Sequence, residues 1–348
     1  MWLHNFQATL TLLLTIGPHL AVASGQGQGC KPTLESSWED LSPLAGEQRQ
    51  EHAAVAINNR IYVVGGLVPI GNPPTGVETV GRVEVYDVQT DTWDTAAPLP
   101  VPMNHPNLAS ANGKVYILGG LSGNINGSFL GLTDSFEYEP RTDTWTKLPS
   151  LPDGTGRGSA IMGVYKNEII VAGGVKRIEQ KFGGIQETVD TVSAFNFKTR
   201  TWRSLPSLPE GREHGGGTVI RDNFYVVGGR FKGEANVRDT VLVLSLKTWQ
   251  WKNNRARMPT ARGGISVAAV GNKIFAFGGE GNPDPTAGNV FNETEAYDII
   301  TDCWEELDPM PIPRHGFAAV TVGETIYTPG GGIRDFGVTD RLQAFRAR

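Results

Sequence analysis

The chain has 348 residues, enough for two ordinary domains or one large all-β domain. Glycine (44) and proline (22) are abundant and charged residues are only 19%, which argues against long helices and for many short strands joined by turns. A net charge of -5 argues against a nucleic-acid surface and against a polybasic membrane tail.

Residues 1–23 contain no Lys, Arg, Asp or Glu and carry the apolar run Leu10 to Ile16, followed by Ala21-Val22-Ala23. This pattern predicts a secretory signal peptide cut after Ala23, then an N-terminal tail over 24–36. The run is too short to span a bilayer and Gly17-Pro18 interrupts it. Two sequons, at Asn126 and Asn292, agree with a secreted glycoprotein. The two cysteines, Cys30 and Cys303, are an even count, as a disulfide would require.

From residue 37 the chain repeats. Ile61-Tyr62-Val63-Val64-Gly65-Gly66 returns with Gly-Gly pairs beginning at 119, 173, 228, 278 and 330. Each pair follows a tryptophan (Trp38, Trp93, Trp145, Trp202, Trp251, Trp304) by 26 to 28 residues. Seven residues before the tryptophan lies a bulky apolar residue: Tyr86, Tyr138, Phe195, Leu244 and Tyr297, with Phe345 in the last copy. The unit reads as four strands, A to D: A over Ala53 to Ile57, B over Ile61 to Val64, C over Val83 to Tyr86, and D from Trp93. Asn58-Asn59, Asn112-Gly113 and Gly271-Asn272 supply tight A–B turns. Glycine pairs ending a strand, with no following helix, are packing devices rather than phosphate cradles.

This unit resembles the Kelch repeat over Trp38 to Phe345, which implies one four-stranded blade per repeat and an all-β, six-bladed propeller. The chain opens on a strand D and ends on a strand C, so the N-terminal strand is expected to complete the sixth blade and close the ring. A disulfide between Cys30 and Cys303, each beside a strand D, would staple that closure; two separate thiols are the alternative.

Length variation falls almost entirely in the B–C loops, which share one propeller face with the D–A loops. Sixteen residues before each Gly-Gly stand Arg49, Met103, Arg157, Arg212, Arg262 and Arg314. In the Kelch family, arginines here often line a pocket for acidic partners, which implies an anion-binding ring of Arg49, Arg157, Arg212, Arg262 and Arg314. The alternative is that each arginine pairs with a loop carboxylate and packs between blades. His52, His105, His214 and His315 lie within three residues of these positions, and His105, His214 and His315 are the candidate acids or bases. They come from different blades at different offsets, so no metal site is expected.

Two classes of function follow. One is a secreted propeller, monomeric and cofactor-free, that binds a small anionic or polyoxygenated molecule at the loop face. It would serve as a tailoring isomerase or hydrolase in secondary-metabolite biosynthesis, a setting the resemblance to exported fungal members allows. The other is a non-enzymatic propeller that binds a protein or glycan. The copper-oxidase branch of the family is excluded, because no adjacent Tyr-His pair occurs. Neither class involves nucleic acid or a membrane.

Overall fold

Five of the six Gly-Gly pairs follow the second strand of an antiparallel sheet, while Gly119-Gly120 lies within its strand, Lys114–Leu121. The computed structural model describes residues 34–71, 76–181, 183–334 and 337–348. The expected leader, most of the N-terminal tail and Cys30 lie outside them. Blade 1 is A Ala53–Ile57, B Arg60–Val64, C Val83–Asp87 and D Thr92–Ala96. The same order recurs in five further blades, whose A strands are Leu108–Ala111, Ile161–Tyr165, Gly216–Ile220, Ser266–Val270 and Val320–Val322. The A strands touch their neighbours in a closed cycle, which makes the array a six-bladed propeller around a central channel. The sixth blade is completed by Ser36–Leu41, which pairs antiparallel with Leu342–Ala347 and sets Trp38 opposite Phe345. The expected closure therefore holds, and two sheet edges are removed.

The burial of each strand follows its composition. The B strands run Ile-Tyr-Val-Val or similar and are buried on both faces, because a blade is covered by its two neighbours. The D strands alternate between half-buried and exposed positions, as outermost strands should. Each of the six repeat tryptophans donates its indole N–H to a carbonyl of the preceding D–A loop: Trp38 to Asp308, Trp93 to Ser42, Trp145 to Ala97, Trp202 to Pro149, Trp251 to Pro206 and Trp304 to Ala256. The tryptophan thus fills the wedge between blades and joins them, each bond adding about 1 kcal/mol.

The glycine pairs are latches of the same kind. The second glycine donates its N–H to the D–A loop of the next blade: Gly66 to Met103 O, Gly174 to Arg212 O, Gly229 to Arg262 O, Gly279 to Arg314 O and Gly331 to Arg49 O. The fit leaves no room for a side chain, since a Cβ on Gly173 would lie 2.1 Å from Arg212 O.

The B–C loops divide the face into two halves. Blades 1 and 3 raise hairpins, Leu67–Ile70 with Gly76–Thr79 and Val175–Glu179 with Gln186–Thr188. Blade 2 extends its strand C, Ser128–Glu139, to pair with the blade 3 hairpin. Blades 4 and 5 carry only single turns of 3-10 helix, Glu234–Asn236 and Pro285–Ala287.

Candidate functional site

The five arginines of the expected anion ring are at most 1% exposed. Arg157 donates to Gly173 O, Thr155 O and Val171 O, and Arg314 to Thr328 O, Gly330 O and Gln343 Oε1. Arg212 donates to Gly228 O and Glu210, and Arg49 and Arg262 pair with the buried carboxylates Glu84 and Glu295. The expectation of an anion-binding ring is corrected here: these guanidiniums satisfy strand-end carbonyls inside the scaffold and present no surface to a ligand. Burial draws Arg157 and Arg212 down to about 10 and Arg314 to about 9, so all three keep their charge at neutral pH. Met103, the one departure, is also fully buried, in an apolar cluster with Phe136. Phe136 stands two residues before its strand C aromatic, the register at which the other blades carry Glu84, Ser193, Leu242, Glu295 and Gln343.

Two residues beyond each arginine position the chain reaches the channel mouth. Glu51, His105, Ser159, His214, Gly264 and Gly316 all have φ between 48 and 58°. The left-handed turn lets their backbones form a ring: His105 N donates to Glu51 O, Ser159 N to His105 O, His214 N to Ser159 O, Gly316 N to Gly264 O and Glu51 N to Gly316 O. With the N–H groups of Glu51, His105, Ser159, His214 and Gly316 engaged, function at the mouth falls chiefly to side chains. A cavity of about 200 Å³ opens there, lined by Glu51, His105, His214 and small residues at or just before the A strands, such as Ala160, Gly216 and Ala318.

A second ring follows the Gly-Gly pairs. Blades 1 to 3 place Leu67, Leu121 and Val175 at this position, and these pack into an apolar cluster with Phe129. Blades 4 to 6 place Arg230, Glu280 and Gly332 there. The mouth is therefore apolar on the hairpin side and charged on the other. Arg230 is buried in contact with Glu280, with Glu213 at 3.6 Å and Glu234 at 3.7 Å. His315 Nε2 lies 3.9 Å from Glu51 and 4.0 Å from Glu280.

The two central histidines are held in opposite ways. Asn104 donates its amide to Thr79 Oγ1 and Ser122 O, so its oxygen faces His105 Nδ1 at 2.6 Å. His105 Nε2 lies 3.0 Å from Glu51, so both ring nitrogens face acceptors. His214 Nδ1 faces Glu213 at 2.9 Å, while its Nε2 accepts from Arg230 at 3.2 Å. The rings meet edge to face, 4.8 Å apart. One histidine is thus placed to donate a proton and its neighbour to accept one. Burial, reinforced by Arg230, pushes His214 below the usual histidine range. Burial alone would raise Glu213, but Arg230 and the hydrogen bond from His214 hold it at about 2. Burial would likewise raise Glu51, yet His105 keeps it well below the ordinary carboxylate value. Glu234 is pushed up, first by Glu280 and then by burial. Glu51, His105 and His214 each direct one donor atom to a common point, all within 4.8 Å of one another.

Three of the sequence-derived candidates, His105, His214 and His315, are therefore brought together. His52 is buried, holds Pro329 O at 3.0 Å and belongs to the scaffold. Sequence reasoning missed Glu51, Glu213, Arg230 and Glu280. Glu51 was legible as the residue two beyond Arg49, and Arg230 and Glu280 as the residues after their glycine pairs. Asn126 is exposed on a left-handed turn of the blade 2 B–C loop, and Asn292 is half-buried in blade 5. Cys303 begins strand D of blade 5, but its expected pairing rests on Cys30, outside the described residues. Among the described residues no helix is long and apolar enough to cross a membrane.

Residues 181–332 match the KLHDC2/KLHL20/DRC7 Kelch-repeats domain and residues 48–100 the Kelch motif. The chain is similar to Kelch-like protein terF of Aspergillus terreus, 40% identical over 287 residues that cover 82% of this chain and 61% of that protein. It is similar to Kelch-like protein 34 of Homo sapiens, 27% identical over 265 residues, which cover 73% of this chain and 38% of that protein. The chain thus spans about three fifths and two fifths of these relatives. The solved structure of YjhT superposes with a TM-score of 0.70 at 16% identity, over 87% of this chain and 95% of that one, and shares the fold. With six Gly-Gly blades closed by the N-terminal strand, the chain belongs to the Kelch-repeat family of β-propellers.

Proposed function

We propose that this propeller binds a small polyoxygenated molecule at the channel mouth and transfers protons on it, as an isomerase or hydrolase would. The observation that carries the reading is the pairing of His105, doubly hydrogen-bonded towards acceptors, with His214, whose Nε2 is an acceptor, at the edge of a 200 Å³ cavity. The anionic half of the sequence expectation is set aside. The arginines that motivated it are buried, and Arg230 is already matched by Glu213, Glu234 and Glu280. A neutral or cationic ligand rich in hydroxyl groups suits this balance, with its apolar parts against the Leu67, Leu121 and Val175 side. The likeness to a fungal Kelch-like protein is consistent with a tailoring role in secondary metabolism. Secretion, glycosylation at Asn126 and Asn292 and a monomeric state belong to the same proposal.

The test is a thermal-shift screen of neutral polyols and polyphenols, polyamines and carboxylated sugars, repeated on Glu51→Gln and His214→Gln. Stabilising compounds should be neutral or cationic and should lose their effect in both variants. Carboxylated ligands that bind the variants as well as the parent would sink the reading. A second reading, protein or glycan binding, is favoured by Ile70, Ile125 and Ile185, exposed on the B–C loops of blades 1 to 3. Loss of partner binding on replacing Ile125 and Ile185 with Ser, with the small-molecule hits unchanged, would support it.

A further inference from the structure

We propose that Glu51, His105 and His214 form a binding site for one divalent first-row transition-metal ion. The four histidines of the repeat region stand at three different offsets from the arginine positions, which predicts no metal site. The structure selects two of them at one offset, His105 and His214, and adds Glu51 at the same offset in blade 1. All three stand on equivalent left-handed turns, joined through the backbone ring that links neighbouring blades. Their side chains converge because the propeller axis makes equivalent positions face one another, as repeat geometry requires.

Three features favour an ion. First, the donor set is two imidazoles and one carboxylate, the N₂O composition that suits Zn(II), Fe(II), Co(II) and Ni(II). Second, each histidine has its Nδ1 engaged by an oxygen, Asn104 Oδ1 at 2.6 Å and Glu213 Oε2 at 2.9 Å, which directs Nε2 inward. Outer partners of this kind orient metal-bound histidines and raise their basicity. Third, the surrounding charge is uneven: Glu51, Glu213, Glu234 and Glu280 stand against the single guanidinium of Arg230. A dication at the common point brings that group closer to balance.

The geometry requires a small adjustment. The donor atoms lie within 4.8 Å of one another, and Glu51 and His105 are already at 3.0 Å. Ligands at metal bonds of about 2.1 Å sit about 3–3.5 Å apart, so the set contracts by about an ångström. Arg230 releases His214 Nε2 and keeps Glu213 and Glu280. His105 Nε2 gives its proton to solvent as the ion binds. Three protein ligands leave open positions towards the cavity, where hydroxyl oxygens of a ligand could complete the shell. The inference rests on the same mouth cluster as the proposed function, but its readout is metal uptake and not ligand turnover.

The experiment uses the full chain, stripped with chelator and titrated with Co(II) alone, then with Zn(II) in competition. One equivalent of Co(II) should bind per chain, with a visible d–d spectrum that Zn(II) abolishes. Glu51→Gln and His214→Gln should each weaken uptake at least 100-fold, and Glu213→Gln 10- to 100-fold through His214. Circular dichroism and thermal unfolding establish that each variant is folded; if His214→Gln fails to fold, Glu51→Gln alone decides. Absence of stoichiometric uptake by the parent chain, or equal uptake by folded Glu51→Gln, would overturn the site. Ligand hits that persist in the metal-free protein would leave the proposed function standing without the metal.

Discussion

His105 Nε2 lies 3.0 Å from Glu51 Oε2, and the two residues occupy the same place in adjacent blades. A backbone bond, His105 N to Glu51 O at 2.8 Å, holds the turns that carry them. The contact is therefore a blade-to-blade tie as well as part of the mouth cluster. Glu51→Gln should cost about 1.5–3 kcal/mol in equilibrium unfolding, the range of a hydrogen bond to a charged group. Replacing Ser159, at the same position in blade 3, by Ala should cost less than about 1 kcal/mol, since among the described residues its side chain makes no ion pair. Equal effects at the two positions would reduce Glu51 to a turn residue.

Acid should weaken the fold in two overlapping windows. His52 has its pKa lowered to about 3, chiefly by burial and then by Arg49. Its folded value lies below its unfolded value, so the stability it contributes is complete above about pH 6.5 and is lost as pH falls towards 3. Glu213 is held at about 2, so its contribution is complete above the ordinary glutamate value and is lost between about pH 4.5 and 2. Between pH 6.5 and 5 the slope of stability against pH should therefore shrink in His52→Gln without vanishing, because His214, also lowered by burial, contributes in the same interval. Denaturant unfolding at half-unit pH steps reads this directly, and a parent slope of zero in that interval would contradict the His52 assignment.

The repeat made the fold legible because a packing role that recurs leaves the same residue at the same interval. Tryptophan and Gly-Gly each return at nearly fixed spacing; the tryptophan makes the same contact in all six blades, and the second glycine makes the same contact in five. The site was only half legible for the same reason. The arginines recur because they are scaffold, and recurrence alone does not distinguish a scaffold contact from a ligand contact. The residues at the mouth differ from blade to blade: Glu51, His105, Ser159 and His214 share a backbone shape, but only the two histidines share a side-chain chemistry. Their convergence depends on the rotation about the propeller axis, which spacing along the chain does not reveal.

Blade 2 shows how the buried arginine can be replaced. Where five blades keep Arg, blade 2 has Met103, and where blade 5 has Glu295, blade 2 has Phe136. Arg262→Met alone leaves Glu295 buried without its partner and should cost about 3–5 kcal/mol. The double change Arg262→Met with Glu295→Phe copies blade 2 and should recover at least half of that loss. A double variant as unstable as the sum of its single changes would show that the two positions do not act as a pair.

Ring closure should depend on residues at both ends of the chain. Trp38 Nε1 donates to Asp308 O at 3.0 Å, and Asp308 N donates to Ser36 Oγ at 3.0 Å, so the first strand is fastened to the loop that follows the strand begun by Cys303. Leu34 packs with the cluster that contains Phe277 and Phe345. Cys30 lies four residues upstream of Leu34 in the sequence. Non-reducing digestion should yield a Cys30–Cys303 linked peptide, and Cys303→Ser should lower stability by about 2–4 kcal/mol. Trp38→Phe should cost about 1 kcal/mol through its lost N–H donor, independently of the redox state. Removing residues 1–41 should leave Leu342–Ala347 as an open edge and drive the protein into oligomers visible by light scattering. An unlinked Cys30 peptide together with an unchanged Cys303→Ser would refute the staple, while a monomeric truncated chain would refute closure by the first strand.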